Sequence, residues 1–137
     1  MITGFTCSAF DLLHAGHVEM LRECKGHCDW LIVGLHINPK VDRPAKNAPV
    51  QSVYERYVQL RACKYVDEII PYTTEKELMD ILLSYPIDIR IIGEEYRDKQ
   101  FTGHELPMGI HFNSRKHSFS TTNLRKQVAE GEKKKNV

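Results

Sequence analysis

The sequence predicts an α/β fold, an open, mostly parallel five-stranded sheet with helices on both faces. Short apolar runs alternate with apolar residues at helical spacing along the chain. One run, residues 30–35, is continuously apolar, as in a parallel strand covered on both sides. Polar clusters follow the strands, at residues 11–17, 38–46, 93–99 and 113–122. Ligands of doubly wound sheets bind at the carboxyl ends of strands, so these clusters predict one site.

Each element has its own signal. Residues 2–10 read as the first strand, and residues 16–27 as a helix with Val18, Leu21, Cys24 and Cys28 on one face. Residues 30–35 form the second strand. Val53, Tyr57, Leu60 and Lys64 mark a second helix that Gln51-Ser52 begins. Residues 67–71 are the third strand. Leu78, Ile81, Leu82 and Tyr85 mark the third helix, stopped before Pro86. Residues 87–92 form the fourth strand, ending at Gly93, and residues 109–112 the fifth. Leu124 and Val128 mark a last helix. The pattern belongs to the doubly wound, Rossmann-like class, and the Pro-rich loop at residues 38–49 is expected to cover the site.

With 137 residues the chain is expected to form a single domain, residues 1–130. Residues 131–137, with Lys133-Lys134-Lys135, are expected to be a basic, solvated tail. Lys and Arg number 19 against 18 Asp and Glu, so no general polyanion-binding field arises and nucleic acid is not an expected partner. No apolar stretch approaches the roughly 20 residues that cross a bilayer. No secretory signal is visible, so a cytoplasmic location is expected and no membrane partner. Cys24 and Cys28 beside His27 suggest zinc only until their helical spacing places both thiols on the buried face. No second cysteine pair completes such a site.

The chemistry centres on His14-Ala15-Gly16-His17, set where the first strand turns into the first helix. A helix N-terminus offers unpaired N–H groups and the positive end of a dipole, which suit a triphosphate. The plain alternative is a pair of surface histidines. The other candidates are also cations and hydroxyls: Lys46, Arg56, Arg115, Ser120, Thr121 and Thr122. No nucleophile–base pair and no paired carboxylates stand out. Such a set suits phosphoryl or nucleotidyl transfer, in which the protein positions groups and offsets charge. Ser120-Thr121-Thr122 also reads as an ordinary helix cap, and both roles are compatible.

Residues 7–17 resemble the first motif of the cytidylyltransferase-like nucleotidyltransferases, and residues 115–122 resemble their second. Tyr54-Glu55-Arg56 and residues 65–71 are similar to the middle of the glycerol-3-phosphate cytidylyltransferases. The resemblance implies attack by an acceptor phosphate on the α-phosphorus of CTP, with pyrophosphate leaving and no covalent intermediate. It implies that His14, His17, Lys46 and Arg115 handle the triphosphate, with Ser120, Thr121 and Thr122 at its far end. It implies nucleotide contacts from Ser8, Ala9, Phe10, Gly16, Gly93 and Glu95, with Tyr96 as a stacking ring. Asp11, Arg56, Lys64 and Asp67 are then expected on the acceptor side. The acceptor class implied is small: glycerol 3-phosphate or another polyol, amino-alcohol or sugar phosphate. Mg²⁺ travelling with the triphosphate, no protein metal ligands, and a homodimer are implied as well.

Ser8, Ala9, Lys116 and Phe119 depart from the glycerol-3-phosphate pattern. Residues 120–124 and 93–96 also resemble the ATP-using adenylyltransferase domain that activates heptose phosphates. Adenylyl transfer to a sugar phosphate and a catalytically inactive nucleotide-binding module therefore stand as alternatives.

Overall fold

The computed structural model describes residues 1–114 and 119–135. Its elements alternate: β1 (Thr3–Ser8), α1 (Ala15–Lys25), β2 (Trp30–His36), α2 (Val53–Arg61), β3 (Glu68–Tyr72), α3 (Glu75–Ser84), β4 (Ile89–Gly93), a 3-10 turn (Glu94–Tyr96), β5 (Gly109–Asn113) and α4 (Thr121–Lys135). The five strands form one parallel sheet in the order β3-β2-β1-β4-β5. The chain runs outward from β1 in one direction and from β4 in the other. A crevice therefore opens between the carboxyl ends of β1 and β4.

The sheet separates two apolar layers. Phe10, Leu31, Val33, Leu35 and Ile91 pack with Leu21 and Cys24 of α1 and Leu60 of α2. Phe5, Ile32 and Tyr72 pack on the other side against Leu78, Ile81 and Leu82 of α3. Continuous apolarity in β2 is thus explained, since alternate residues serve opposite layers. Burial pushes the Cys24 thiol up to about 12, and the Cys28 thiol donates to the Cys24 carbonyl. Ser52 and Glu55 form a reciprocal cap on α2, and Thr74 caps α3, so each helix starts where its side-chain chemistry dictates.

Of the boundaries that differ from expectation, two stand out. β1 ends at Ser8 because the backbone then leaves the sheet, with φ of 50° at Phe10 and 53° at Leu12. Left-handed backbone is unfavourable for side-chain-bearing residues, so tertiary contacts must hold it. They are present: the Phe10 ring is buried in the α1-side layer, and Gln51 Oε1 accepts from the Leu12 N–H at 2.9 Å. At the other end, α4 continues to Lys135 through residues expected in a tail. Three lysines in its last turn suit the negative end of the helix dipole. Among the described residues, no helix is long and apolar enough to cross a membrane.

Candidate functional site

A cavity of about 520 Å³ occupies the carboxyl edge of the sheet, over the β1–β4 crevice. Its first wall is the N-terminus of α1. His14 is the N-cap, its Nδ1 accepting from the Gly16 N–H at 3.0 Å. The His14 N–H in turn donates to His17 Nδ1 at 3.1 Å. A nitrogen that accepts from a backbone N–H carries no proton, so both rings bear theirs on Nε2. The cap thus sets the tautomer of each imidazole and makes it a donor at Nε2.

The second wall is the N-terminus of α4. Ser120 Oγ accepts from the Asn123 N–H at 3.0 Å, as a cap does. The Thr121 hydroxyl lies 3.2 Å from His14 Nε2 and donates to the Asp11 carbonyl at 3.3 Å. Neither α1 nor α4 has an acidic residue in its first turn, whereas α2 has Glu55 and α3 has Glu75 and Glu77. The two helices that face the cavity thus leave their positive ends for an external anion.

Lys46 lines the cavity from the loop between β2 and α2. That loop is tied down at both ends. The Glu75 N–H at the start of α3 donates to Asp42 at 2.6 Å, and the Arg43 guanidinium pairs with Glu75 at 3.5 Å. At the far end, the Val50 and Gln51 N–H groups donate to the Asp11 carboxylate. The Tyr96 hydroxyl, hydrogen-bonded to Arg43, and the Glu75 carboxylate hold the Arg43 pKa above its ordinary value.

Sequence reasoning missed the floor on the α3 side, where Arg43, Glu75, Tyr72, Arg90, Phe101 and Thr102 meet. Burial raises the pKa of both the Cys7 thiol and the Tyr72 phenol there, so both stay protonated. His36 stacks on Tyr72 with ring centroids 4.6 Å apart, and its Nε2 meets the Thr73 carbonyl at 2.9 Å. The one sequence signal for Arg90 was a charge inside the apolar run of β4.

The expected base-side residues Gly93, Glu95 and Tyr96 line the cavity, as do Ser8, Ala9, Gly16, Ser120 and Thr121. A Cβ at Gly93 would meet the Glu95 carboxylate, the mobile end of an exposed side chain that would have to swing aside. Asn113, paired in register with Gly93, lines the same corner, with its Oδ1 buried and without a hydrogen-bond partner among the described residues. Glu23 joins α1 to the end of β5 by accepting from His111 at 3.0 Å and from Ser114. Burial alone would raise the Glu23 pKa, but these hydrogen bonds outweigh it and lower it.

Several residues expected at the site are placed elsewhere or hold other contacts. Phe10 does not line the cavity, because its ring is needed in the core beneath the left-handed turn. Thr122 is exposed and outside the cavity, since helical rotation turns it away from Thr121. Arg115 lies outside the described residues. On the acceptor side, Asp11 is a structural tie: its carboxylate takes Val50, Gln51 and, at 2.6 Å, the Arg125 guanidinium. Burial alone would raise the Asp11 pKa; these donors together lower it. Arg56 is 2% exposed and donates to the carbonyls of Ala9, His36, Ile37, Gln51 and Ser52, which leaves it for the fold. Desolvation lowers its pKa. Lys64 and Asp67 precede β3, at the amino edge of a parallel sheet and opposite the cavity. Asp67 there receives Lys25 at 2.5 Å and the Leu31 N–H at 2.8 Å, while the Lys64 ammonium lies over the Tyr65 ring.

A protein-family model described as cytidylyltransferase-like matches residues 5–128. The ethanolamine-phosphate cytidylyltransferase of Arabidopsis thaliana is 31% identical over 108 residues, covering 74% of this chain and 26% of that protein. The bifunctional protein HldE of Rhodopseudomonas palustris (strain BisB18) is 36% identical over 104 residues, covering 75% of this chain and 21% of that protein. The chain thus spans about a fifth to a quarter of the length of these curated relatives. Among solved structures, the lipopolysaccharide core biosynthesis protein from Thermoplasma volcanium GSS1 superposes with a TM-score of 0.70 and 25% identity, over 85% of this chain and 99% of that one.

Proposed function

The chain belongs to the cytidylyltransferase-like family, and from that premise we propose that it transfers CMP from CTP to a small phosphorylated acceptor. One observation carries the reading. The N-termini of α1 and α4 are both free of acidic residues, and His14 and Thr121 join them at a single cavity. Two positive helix ends and several hydroxyl and imidazole donors match the charge of a triphosphate. The similarity to ethanolamine-phosphate cytidylyltransferases supports CTP and an amino-alcohol phosphate among the acceptors to be tried.

An acceptor phosphate oxygen attacks the α-phosphorus, the bond to the oxygen bridging the α- and β-phosphates breaks, and pyrophosphate carries that electron pair away. His17, as an Nε2–H donor, stabilises charge developing on the phosphoryl oxygens, and the His14 Nε2–H, given to Thr121 in the structure, is exchanged to them when the triphosphate binds. Lys46 and Ser120 steady the β- and γ-phosphates, and Arg115 is assigned to the same task. Gly93, Glu95 and Tyr96 border the base. Mg²⁺ offsets triphosphate charge when bound. Among the described residues no three His, Cys, Asp or Glu side chains gather as a metal site. A homodimer in the cytoplasm completes the proposal, and sedimentation at micromolar concentration tests the dimer.

The deciding experiment measures pyrophosphate release with CTP or ATP across a panel of phosphate esters. Release that needs CTP and one ester together is the expected result. Turnover with ATP and a sugar phosphate supports the second reading, adenylyl transfer, to which the resemblance of residues 93–96 and 120–124 points. CTP binding by calorimetry without turnover on any ester supports an inactive nucleotide-binding module.

A further inference from the structure

The α3 side of the cavity holds a charge that no described residue balances. Arg90 is 3% exposed and lines the cavity. It projects from β4 to the side opposite Ile91, whose side chain lies in the α1-side layer. The guanidinium donates to the Thr102 carbonyl and sits 5.0 Å over the Phe101 ring. Gly103, with φ of 83°, lets the chain fold closely over it. A Cβ there would meet Arg90 Nη1 at 3.1 Å and Leu82 at 2.6 Å.

Among the described residues, no carboxylate forms an ion pair with Arg90. The Glu75 carboxylate on this side is engaged by Arg43 at 3.5 Å and by the Thr102 hydroxyl at 2.8 Å. Cys7 and Tyr72, the other ionisable neighbours, are neutral. Buried charges in proteins are normally paired. Arg56, equally buried, is satisfied by five carbonyls, whereas Arg90 has one carbonyl and the neutral Cys7 thiol among the described residues and faces a cavity.

We propose that Arg90 binds an anionic group of the acceptor remote from its attacking phosphate. The inference rests on the nucleotidyl-transfer reading. The attacking phosphate must lie beside the histidines of α1, which packs on the opposite side of the sheet from Arg90. The anion that Arg90 takes is therefore the other end of the same molecule. The acceptor class is a phosphate ester carrying a second anionic group, carboxylate or phosphate, either of which matches the guanidinium fork.

The test compares matched acceptors by pyrophosphate release, using whichever nucleoside triphosphate supports turnover. O-phosphoserine is set against O-phosphoethanolamine, and 1,3-propanediol bisphosphate against 3-hydroxypropyl phosphate. The expected result is a kcat/KM at least roughly tenfold higher for the acidic member of one pair, and which pair shows it separates carboxylate from second phosphate. Arg90→Gln should erase that advantage through KM, and Arg90→Lys should keep part of it. Equal kcat/KM within both pairs overturns the proposal. So does an Arg90→Gln protein that keeps the acidic preference. Should Arg90→Gln fail to fold, Arg90→Lys and the wild-type comparison decide. If no ester turns over with any nucleotide, the nucleotidyl-transfer reading fails by itself. Calorimetry of the same four esters against the wild-type protein then decides this inference, with a roughly tenfold tighter acidic member supporting it and equal affinities overturning it.

Discussion

His14 Nε2 lies 3.2 Å from Thr121 Oγ1, across 107 residues of sequence. Because Thr121 also donates to the Asp11 carbonyl, the cap of α1, the turn after β1 and the first turn of α4 form one hydrogen-bonded unit. The contact turns two separate motifs into two walls of one anion site.

Thr121→Val tests that unit. Removing the hydroxyl should cost about 1 kcal/mol of stability, the usual worth of such a hydrogen bond. The larger effect should fall on activity, with kcat/KM for the nucleotide reduced roughly tenfold. A variant with full activity and lowered stability would make the contact purely structural.

His17→Ala should lower kcat by about 10²–10³-fold, the range for loss of one donor to developing charge. The KM for CTP should change far less, because the donor acts mainly in the transition state. A loss confined to KM counts against that role.

Asp11→Asn should destabilise the protein at neutral pH by about 1–3 kcal/mol, since a buried acceptor of three donors loses its charge. Burial opposes ionisation, but the donors win and place the native pKa below 3.8. The contribution is therefore complete above that value and lost as pH falls through the native pKa. Urea unfolding should show the wild-type advantage at pH 7 and its disappearance well below pH 4. An advantage that persists at the acidic end would show that the charge is not the cause.

Arg56→Lys keeps the charge yet cannot reach five carbonyls, so it should lose about 2–4 kcal/mol in chemical denaturation. Unchanged stability with a raised acceptor KM would instead return Arg56 to the acceptor site.

Asp67→Ala should lower stability by about 1–2 kcal/mol by freeing the Leu31 N–H and Lys25. Neither it nor Lys64→Ala should change the acceptor KM, because both positions lie at the amino edge of the sheet. A clear rise in acceptor KM for either variant would contradict that placement.

Much of the fold was legible because its signals are local. Alternating strand and helix patterns, the Ser52–Glu55 cap and the stop before Pro86 each act within a few residues. The His14–His17 pair was legible for the same reason. The early end of β1 was not, since nothing in Phe10 or Leu12 announces left-handed backbone that distant Gln51 and the core sustain. Two arginines show the limit for the site. Arg56 stood out through resemblance and is absorbed by carbonyls; Arg90 drew no attention and lies on the cavity floor.

By itself, then, the sequence determined the order of strands and helices, the histidine cap at the end of β1 and the clustering of polar residues after the strands. The tertiary structure decided which of those residues share a cavity. Pairing of positions 14 with 121, and of 11 with 125, depends on the crossovers that bring α1 and α4 to one edge. Burial, which separates a structural arginine from one that faces a ligand, is a property of the packed layers and has no counterpart in local pattern.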